Sequence, residues 1–306
     1  MPHFLALLFC VISSLGANNV EIIAPTQPSI DVMENEYGNT RKGNAITGIL
    51  EFLYGNTFMS AGGTDSVDIM LKGLSLSNKK LVDIGCGFGG ADIYLAQKYP
   101  TTIIGLDPVK KTIQGALKNA HSSHLTKQLS YIHTPSLPYP LENESVDIVF
   151  SKEALLHAPN KKEIILEIFR ILKPGGQLRI IDWVFGRTTS QATKDSFNIP
   201  SFNVISQNEY VRLLKGAGFM KVSTERLNEK YCTYTQQTIN HLKKNKDAWS
   251  KSEIDYPYED ALADWENQYT TFKSKELLVT LFKAKKPFLK KRKNSPIAAL
   301  HNLQKI

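Results

Sequence analysis

Val82-Asp83-Ile84-Gly85-Cys86-Gly87-Phe88-Gly89-Gly90 is a short apolar run that breaks into a cluster of glycines. The run suits a buried strand, and glycines at the turn accept positive φ and let backbone come close to a ligand. An amphipathic stretch, Ala91–Tyr99, follows and reads as a helix. The glycine spacing is G-x-G-x-G-G rather than the G-x-G-x-x-G of generic dinucleotide sites. An acid, Asp83, precedes the first glycine by two.

Outward from this turn the same grammar repeats. Lys80–Ile84, Thr101–Leu106, Leu129–His133, Val146–Ser151 and Gln177–Val184 are β-rich runs. Ala91–Tyr99, Thr112–Ser122 and Lys162–Leu172 are the amphipathic stretches between them. Strands separated by crossover helices predict an α/β fold, with a parallel sheet covered on both faces. Asn208–Gly218 reads as a further helix, and Met220–Leu227 and Leu277–Lys285 as two later strands. The interval 230–275, rich in Tyr, Trp and charge, reads as a mostly helical insertion. Such a sheet binds ligands beyond the carboxyl ends of its strands, beside the first one. Chemistry is therefore expected at Asp83–Gly90, Asp107, the loop after His133, and Ser151–His157.

Asp107 ends the second strand, 24 residues after Asp83. A carboxylate there can accept hydrogen bonds from ribose hydroxyls, or it can cap the helix that follows. Pro108 is compatible with both.

Four pieces over 50–285 resemble a class I S-adenosylmethionine-dependent methyltransferase: Val82–Gly90, Gly105–Pro108, Ser145–Val149, and the Pro/Gly turn Leu172–Gly176. The resemblance implies a Rossmann-like, doubly wound, mostly parallel seven-stranded sheet with its last strand antiparallel. It also implies S-adenosyl-L-methionine as cofactor. Leu50–Gly55 with Phe58–Gly63, and Ser151–His157, resemble the phosphoethanolamine N-methyltransferases more closely. In that family the segment ending in Gly-Gly folds over the cofactor, so 33–80 is expected as a lid and 81–286 as the core. The family's catalytic His falls on His157. Its cofactor contacts fall on Met59, Ser60, Gly85, Gly87, Asp107 and Ser151, to which the same loops add Asp83, Cys86 and Pro108. Glu153 and Trp183 are the candidate acceptor contacts.

The sequence also departs from the family. Its Ser-Arg-Asp reads Ser151-Lys152-Glu153, and its adenine-contacting acid falls near Thr134-Pro135, where there is no carboxylate. Its catalytic Tyr falls on Lys42 by counting, with Tyr37 as the substitute if the lid begins differently. Its phosphate-gripping Arg and Tyr fall on Pro200 and Phe202, and its late Lys near Gln268. The cofactor half carries over and the phosphate half does not.

The chain has 306 residues and a net charge of +8. Residues 273–306 hold ten of the 37 Lys and Arg and one of the 29 acids, leaving 27 basic and 28 acidic side chains elsewhere. A neutral body argues against a broad nucleic-acid groove. The basic tail 287–306 is where weak contact with an anionic membrane is expected. Cys10, Cys86 and Cys232 are too few and too scattered for a disulfide framework or a metal site, and no metal is expected. They fit a reducing compartment, so the expected location is cytoplasmic. Residues 1–32 are an apolar segment and linker. This stretch lacks Lys or Arg before its apolar run, so it reads either as a weak signal, making the protein membrane-associated or exported, or as a start codon placed ahead of Met33.

Methyl transfer from a sulfonium needs alignment and exclusion of water more than acid catalysis. An amine acceptor must present a free lone pair, and a histidine is the natural base. The favoured expectation is N-methylation of a small ethanolamine- or glycine-type amine, with His157 as base or positioning group. A C- or O-methyltransferase of a quinone- or sterol-like acceptor, a non-catalytic cofactor-binding protein and an RNA methyltransferase remain alternatives. Ten aromatic residues after the fifth strand either build the acceptor pocket by cation–π faces or pack the insertion: Trp183, Phe185, Phe202, Tyr231, Tyr234, Trp249, Tyr256, Tyr258, Trp265 and Tyr269.

Overall fold

The computed structural model describes residues 41–198 and 202–288. The expected N-terminal segment 1–32, Tyr37, Pro200 and all but the first two residues of the tail 287–306 lie outside the described residues.

Helices α1 (Arg41–Tyr54) and α2 (Gly63–Leu71) precede β1 (Lys80–Ile84), α3 (Gly90–Lys98), β2 (Thr102–Asp107), α4 (Lys110–Ser122), β3 (Leu129–His133) and β4 (Val146–Lys152). A 3-10 turn at Leu155–His157 leads to α5 (Lys161–Ile171), β5 (Leu172–Phe185), α6 (Gln191–Ser196), α7 (Gln207–Gly216) and β6 (Met220–Arg226). The insertion comprises α8 (Asn228–Lys244), α9 (Lys246–Ser250) and α10 (Tyr258–Ser274), and β7 (Leu277–Lys285) closes the sheet.

The seven strands lie in the order β3-β2-β1-β4-β5-β7-β6. The first five pair in parallel, and β7 runs antiparallel to both β5 and β6. Parallel strands covered on both faces carry unbroken apolar runs instead of alternation. Accordingly Leu81, Ile103, Ile148 and Ile181 enter one core, and Val82, Leu106, Val149 and Ile180 enter the other. Helix α5 seals the second face with Ile165, Ile168 and Ile171, all fully buried. It starts where the Asn160 side chain accepts from the Glu163 amide, at 3.3 Å. A third core joins α1 to the insertion through Ile49, Leu242, Trp249 and Trp265.

Boundaries shift where local pairing overrides the sequence signal. The expected turn Leu172–Gly176 is part of β5, because Leu172 pairs with Val146 across an irregular register. The Gly175 amide also donates to the Lys286 carbonyl at 3.0 Å. β2 runs one residue further than expected, placing Asp107 in the ladder opposite His133.

Neighbours β2 and β4 lie on opposite sides of β1, so the chain reverses its winding there, and a crevice opens beyond their carboxyl ends. The segment 55–62 crosses this crevice, held by Gly90 N–H donating to the Thr57 carbonyl at 3.1 Å. No helix among the described residues is long and apolar enough to cross a membrane.

Candidate active site

The crevice has a cavity volume of about 440 Å³. Met59, Ser60, Asp83, Gly85, Cys86, Gly87, Asp107 and Pro108 all line it, so two loops and a crossing segment from separate parts of the chain converge as anticipated. Thr134 and Pro135 line it as well. Two of the turn's glycines face the crevice residues directly. Gly85 has φ 77°, and a Cβ there would sit 2.2 Å from Ala154 Cβ; Gly87 has φ 53°, and a Cβ there would sit 2.6 Å from Met59 Sδ.

Asp107 is buried, and both its oxygens already accept hydrogen bonds. Oδ2 accepts from the Gly87 amide at 2.9 Å. Oδ1 accepts from the Val109 amide at 2.9 Å and the Thr112 hydroxyl at 2.7 Å. The carboxylate therefore ties the N-cap residue Val109 and the first turn of α4 to the end of β2, and pins the glycine turn beside them. Burial raises its pKa, while the bonds from Val109, Thr112 and Gly87 oppose the rise. A carboxylate has about four lone-pair sites, so one remains for a ligand.

Asp83 is different. Its Oδ1 is buried and has no hydrogen-bond partner among the described residues. Burial, with the neighbouring Asp92 and Asp107, holds its carboxyl well above the ordinary range. Unsatisfied buried oxygens are rare in folded proteins, and this one lies on the crevice wall.

Ser151 does not line the crevice. It is fully buried, and its hydroxyl donates to the Ile84 carbonyl at 2.7 Å, bracing β1 against β4. The parity of β4 turns Ser151 inward while the residues that follow face the ligand side.

A second, smaller cavity of about 140 Å³ adjoins the first. Leu50, Met59, Ser60, Glu153 and His157 line both. His157 ends the 3-10 turn, and its ring stacks on Phe202 with centroids 5.1 Å apart. Phe202 stacks in turn on Trp183 at 6.3 Å. Glu153 sits at φ 52°, a conformation uncommon for a residue with a side chain and found at functional sites. Its Oε1 accepts from the Tyr231 hydroxyl at 2.8 Å and its Oε2 from Trp183 Nε1 at 3.2 Å. Lys152 Nζ lies 3.3 Å from Oε1 and also donates to the Ser60 hydroxyl and, at 3.0 Å, to the Ala61 carbonyl. Burial pushes the Lys152 ammonium pKa down, against the pull of Glu153.

Of the aromatic candidates, Trp183, Phe202, Tyr231 and Trp265 line this pocket. Phe185, Tyr234, Trp249, Tyr256, Tyr258 and Tyr269 do not; they pack within or against the cores. Tyr54, Gln268 and Phe272 also line it, of which the sequence marked only Gln268, as the place near which the resembled family's late Lys falls. Helical spacing was the available signal for the last two, since Trp265, Gln268 and Phe272 share one face of α10. Burial raises the Tyr54 phenol to about 12, and its oxygen accepts from Trp265 Nε1 at 3.0 Å.

Residues 82–180 match the family described as Methyltransferase domain. That stretch is a methyltransferase domain. Phosphoethanolamine N-methyltransferase 1 of Zea mays is 27% identical over 223 residues, covering 72% of this chain and 44% of the relative. The protein of the same name in Arabidopsis thaliana is 26% identical over 244 residues, covering 78% and 49%. The chain thus spans about half the length of these curated relatives. Among solved structures, the Haemonchus contortus phosphoethanolamine N-methyltransferase 2, crystallised with phosphomonomethylethanolamine and S-adenosylhomocysteine, superposes with a TM-score of 0.75. It is 22% identical, with 85% of this chain and 61% of that one covered. The two share the same fold.

Proposed function

We propose that this chain is an S-adenosylmethionine-dependent methyltransferase that N-methylates a small amine, with His157 as base or positioning group. The observation that carries this reading is the junction of the two cavities at Met59, Ser60, Glu153 and His157. A donor on one side and an acceptor on the other would meet there.

The crevice residues fit the cofactor. Asp83 Oδ1 offers an unsatisfied buried acceptor to an ammonium, and Asp107 keeps one acceptor site for a sugar hydroxyl. The positive-φ glycines leave backbone open where a side chain would intrude. When bound, the cofactor would supply a sulfonium methyl whose carbon an amine lone pair attacks in line, the N–C bond forming as the C–S bond breaks, leaving a neutral thioether and a positively charged nitrogen. Glu153 and the aromatic walls favour an ammonium entering the pocket. His157 accepts the proton that frees the lone pair, and the 55–62 segment keeps water out. The pocket's size favours this reading over a quinone- or sterol-like acceptor: an apolar cavity of about 150 Å³ holds benzene.

The test is a transfer assay with purified protein and methyl-labelled cofactor against amines, amino acids, phosphobases, quinols and RNA. Label is expected in an amine. Cofactor binding without transfer to any acceptor would instead support the non-catalytic alternative.

A further inference from the structure

We propose that Gln268 sets the acceptor class: a small amino alcohol, an amine whose second polar group is an uncharged hydroxyl. This rests on the methyltransferase reading above and concerns the same pocket.

Trp265, Gln268 and Phe272 stand at i, i+3 and i+7 of α10, and all three line the acceptor pocket. Both neighbours are engaged. Trp265 donates to the Tyr54 oxygen, and Phe272 packs edge-on against Trp183 at 5.3 Å and Tyr231 at 6.2 Å. The Gln268 amide, by contrast, makes no hydrogen bond among the described residues. Such an amide offers two donors and an acceptor oxygen.

Position and charge select what it meets. Phe272 abuts the two rings that donate to Glu153, and Gln268, Glu153 and His157 line the same pocket. An acceptor with its nitrogen at Glu153 and His157 can turn a second polar group toward the Gln268 amide. Among the described lining residues the polar groups are one carboxylate, one imidazole, two indole N–H groups, hydroxyls and this amide, without Lys or Arg. Lys152 is turned to Ser60, Ala61 and Glu153. A phosphate or carboxylate beside Gln268 would lose part of its water with no countercharge among the described lining residues, whereas a hydroxyl loses little and pairs with the amide in either direction. Size agrees: a cavity near 150 Å³ takes about six non-hydrogen atoms, the size of a dimethylated ethanolamine, while its phosphate ester has about ten.

The experiment measures kcat/KM, and acceptor binding by calorimetry in the presence of S-adenosylhomocysteine. The acceptors are ethanolamine, its monomethyl and dimethyl forms, sarcosine and phosphoethanolamine, each with wild type, Gln268→Lys and Gln268→Leu. Wild type is expected to bind and methylate the amino alcohols at least ~10-fold better than sarcosine or phosphoethanolamine, a difference of about 1.4 kcal/mol or more. Gln268→Lys should move the phosphorylated-to-free ratio at least ~10-fold toward phosphate, and Gln268→Leu should raise KM for the amino alcohols about 10-fold with a smaller effect on kcat. Preference of the wild type for phosphoethanolamine or sarcosine overturns the proposal by itself, whatever becomes of the variants. So does an unchanged ratio in a Gln268→Lys protein whose melting temperature and cofactor affinity match wild type. Loss of cofactor binding, or no transfer to any amine, instead overturns the underlying methyltransferase reading and this proposal with it.

Discussion

Replacing Asp107 by alanine removes the acceptor for three donors at once: the Gly87 and Val109 amides and the Thr112 hydroxyl. Each intramolecular hydrogen bond contributes about 1 kcal/mol net, and a buried donor left unpaired costs about that much or more. The Thr112 hydroxyl keeps the Val109 carbonyl as an acceptor at 2.7 Å, so the two amides put the loss at about 2 kcal/mol. For a domain of this size each kcal/mol moves the melting temperature by about 2–4 °C, so the variant should melt roughly 4–8 °C lower. Cofactor affinity should fall too, because the Gly87 amide is no longer pinned and one site for a sugar hydroxyl is lost. A loss of about 1–3 kcal/mol corresponds to roughly 5- to 150-fold in Kd. Scanning fluorimetry of the apo protein reads the first quantity, and calorimetric titration with S-adenosylmethionine reads the second. A lower melting temperature with unchanged affinity would leave a helix cap and remove the ribose role. A melting temperature within about 2 °C of wild type would refute the hydrogen-bond reasoning itself.

His157→Ala should lower kcat by about 100-fold or more while sparing cofactor affinity; wild-type turnover would remove its role. Asn203→Ala should lower kcat about 10-fold at unchanged cofactor affinity, because Asn203 Nδ2 holds the Ala158 and Pro159 carbonyls beside His157, at 2.9 and 2.8 Å; steady-state kinetics with the two KM values resolves this. Burial raises Asp264 to about 7 against the Tyr256 hydrogen bond, so the native state keeps this proton while an unfolded carboxyl, near 3.9, has lost it. Asp264 should therefore make stability fall as pH rises from about 4 to about 7, and Asp264→Asn should flatten that dependence in urea melts; parallel wild-type and variant curves would contradict it.

The sheet was legible because its strands are apolar runs bounded by glycine, acid or proline, as at Ile84-Gly85 and Leu106-Asp107. The glycine turn was legible for the same reason, since φ and close approach leave little choice of residue. Two local questions were not. Whether Asp107 caps a helix or meets a ligand depends on which amides reach it, and the structure shows three protein donors there. Ser151 is one position from Lys152, yet strand parity sends one hydroxyl to the Ile84 carbonyl and one ammonium toward Ser60. The acceptor pocket was the least legible part. Glu153 meets Tyr231 across 78 residues, and no local period encodes which face of the insertion turns toward the sheet. Six of the ten aromatic candidates proved to be packing, whereas Gln268, a polar residue on the same helix face as two aromatics, was marked only as the place of the resembled family's late Lys.

Lys152 joins parts that the chain keeps far apart. Its ammonium clasps the crossing segment at Ser60 and Ala61 on one side and Glu153 on the other, and Glu153 in turn tethers a β5 indole and an α8 phenol. Lifting the segment would strip the ammonium of two of its three partners and open it to water beside a single anion. Roof and floor are thus wired through one amine, and ligand exchange above the clasp carries a mechanical consequence for the cage below it.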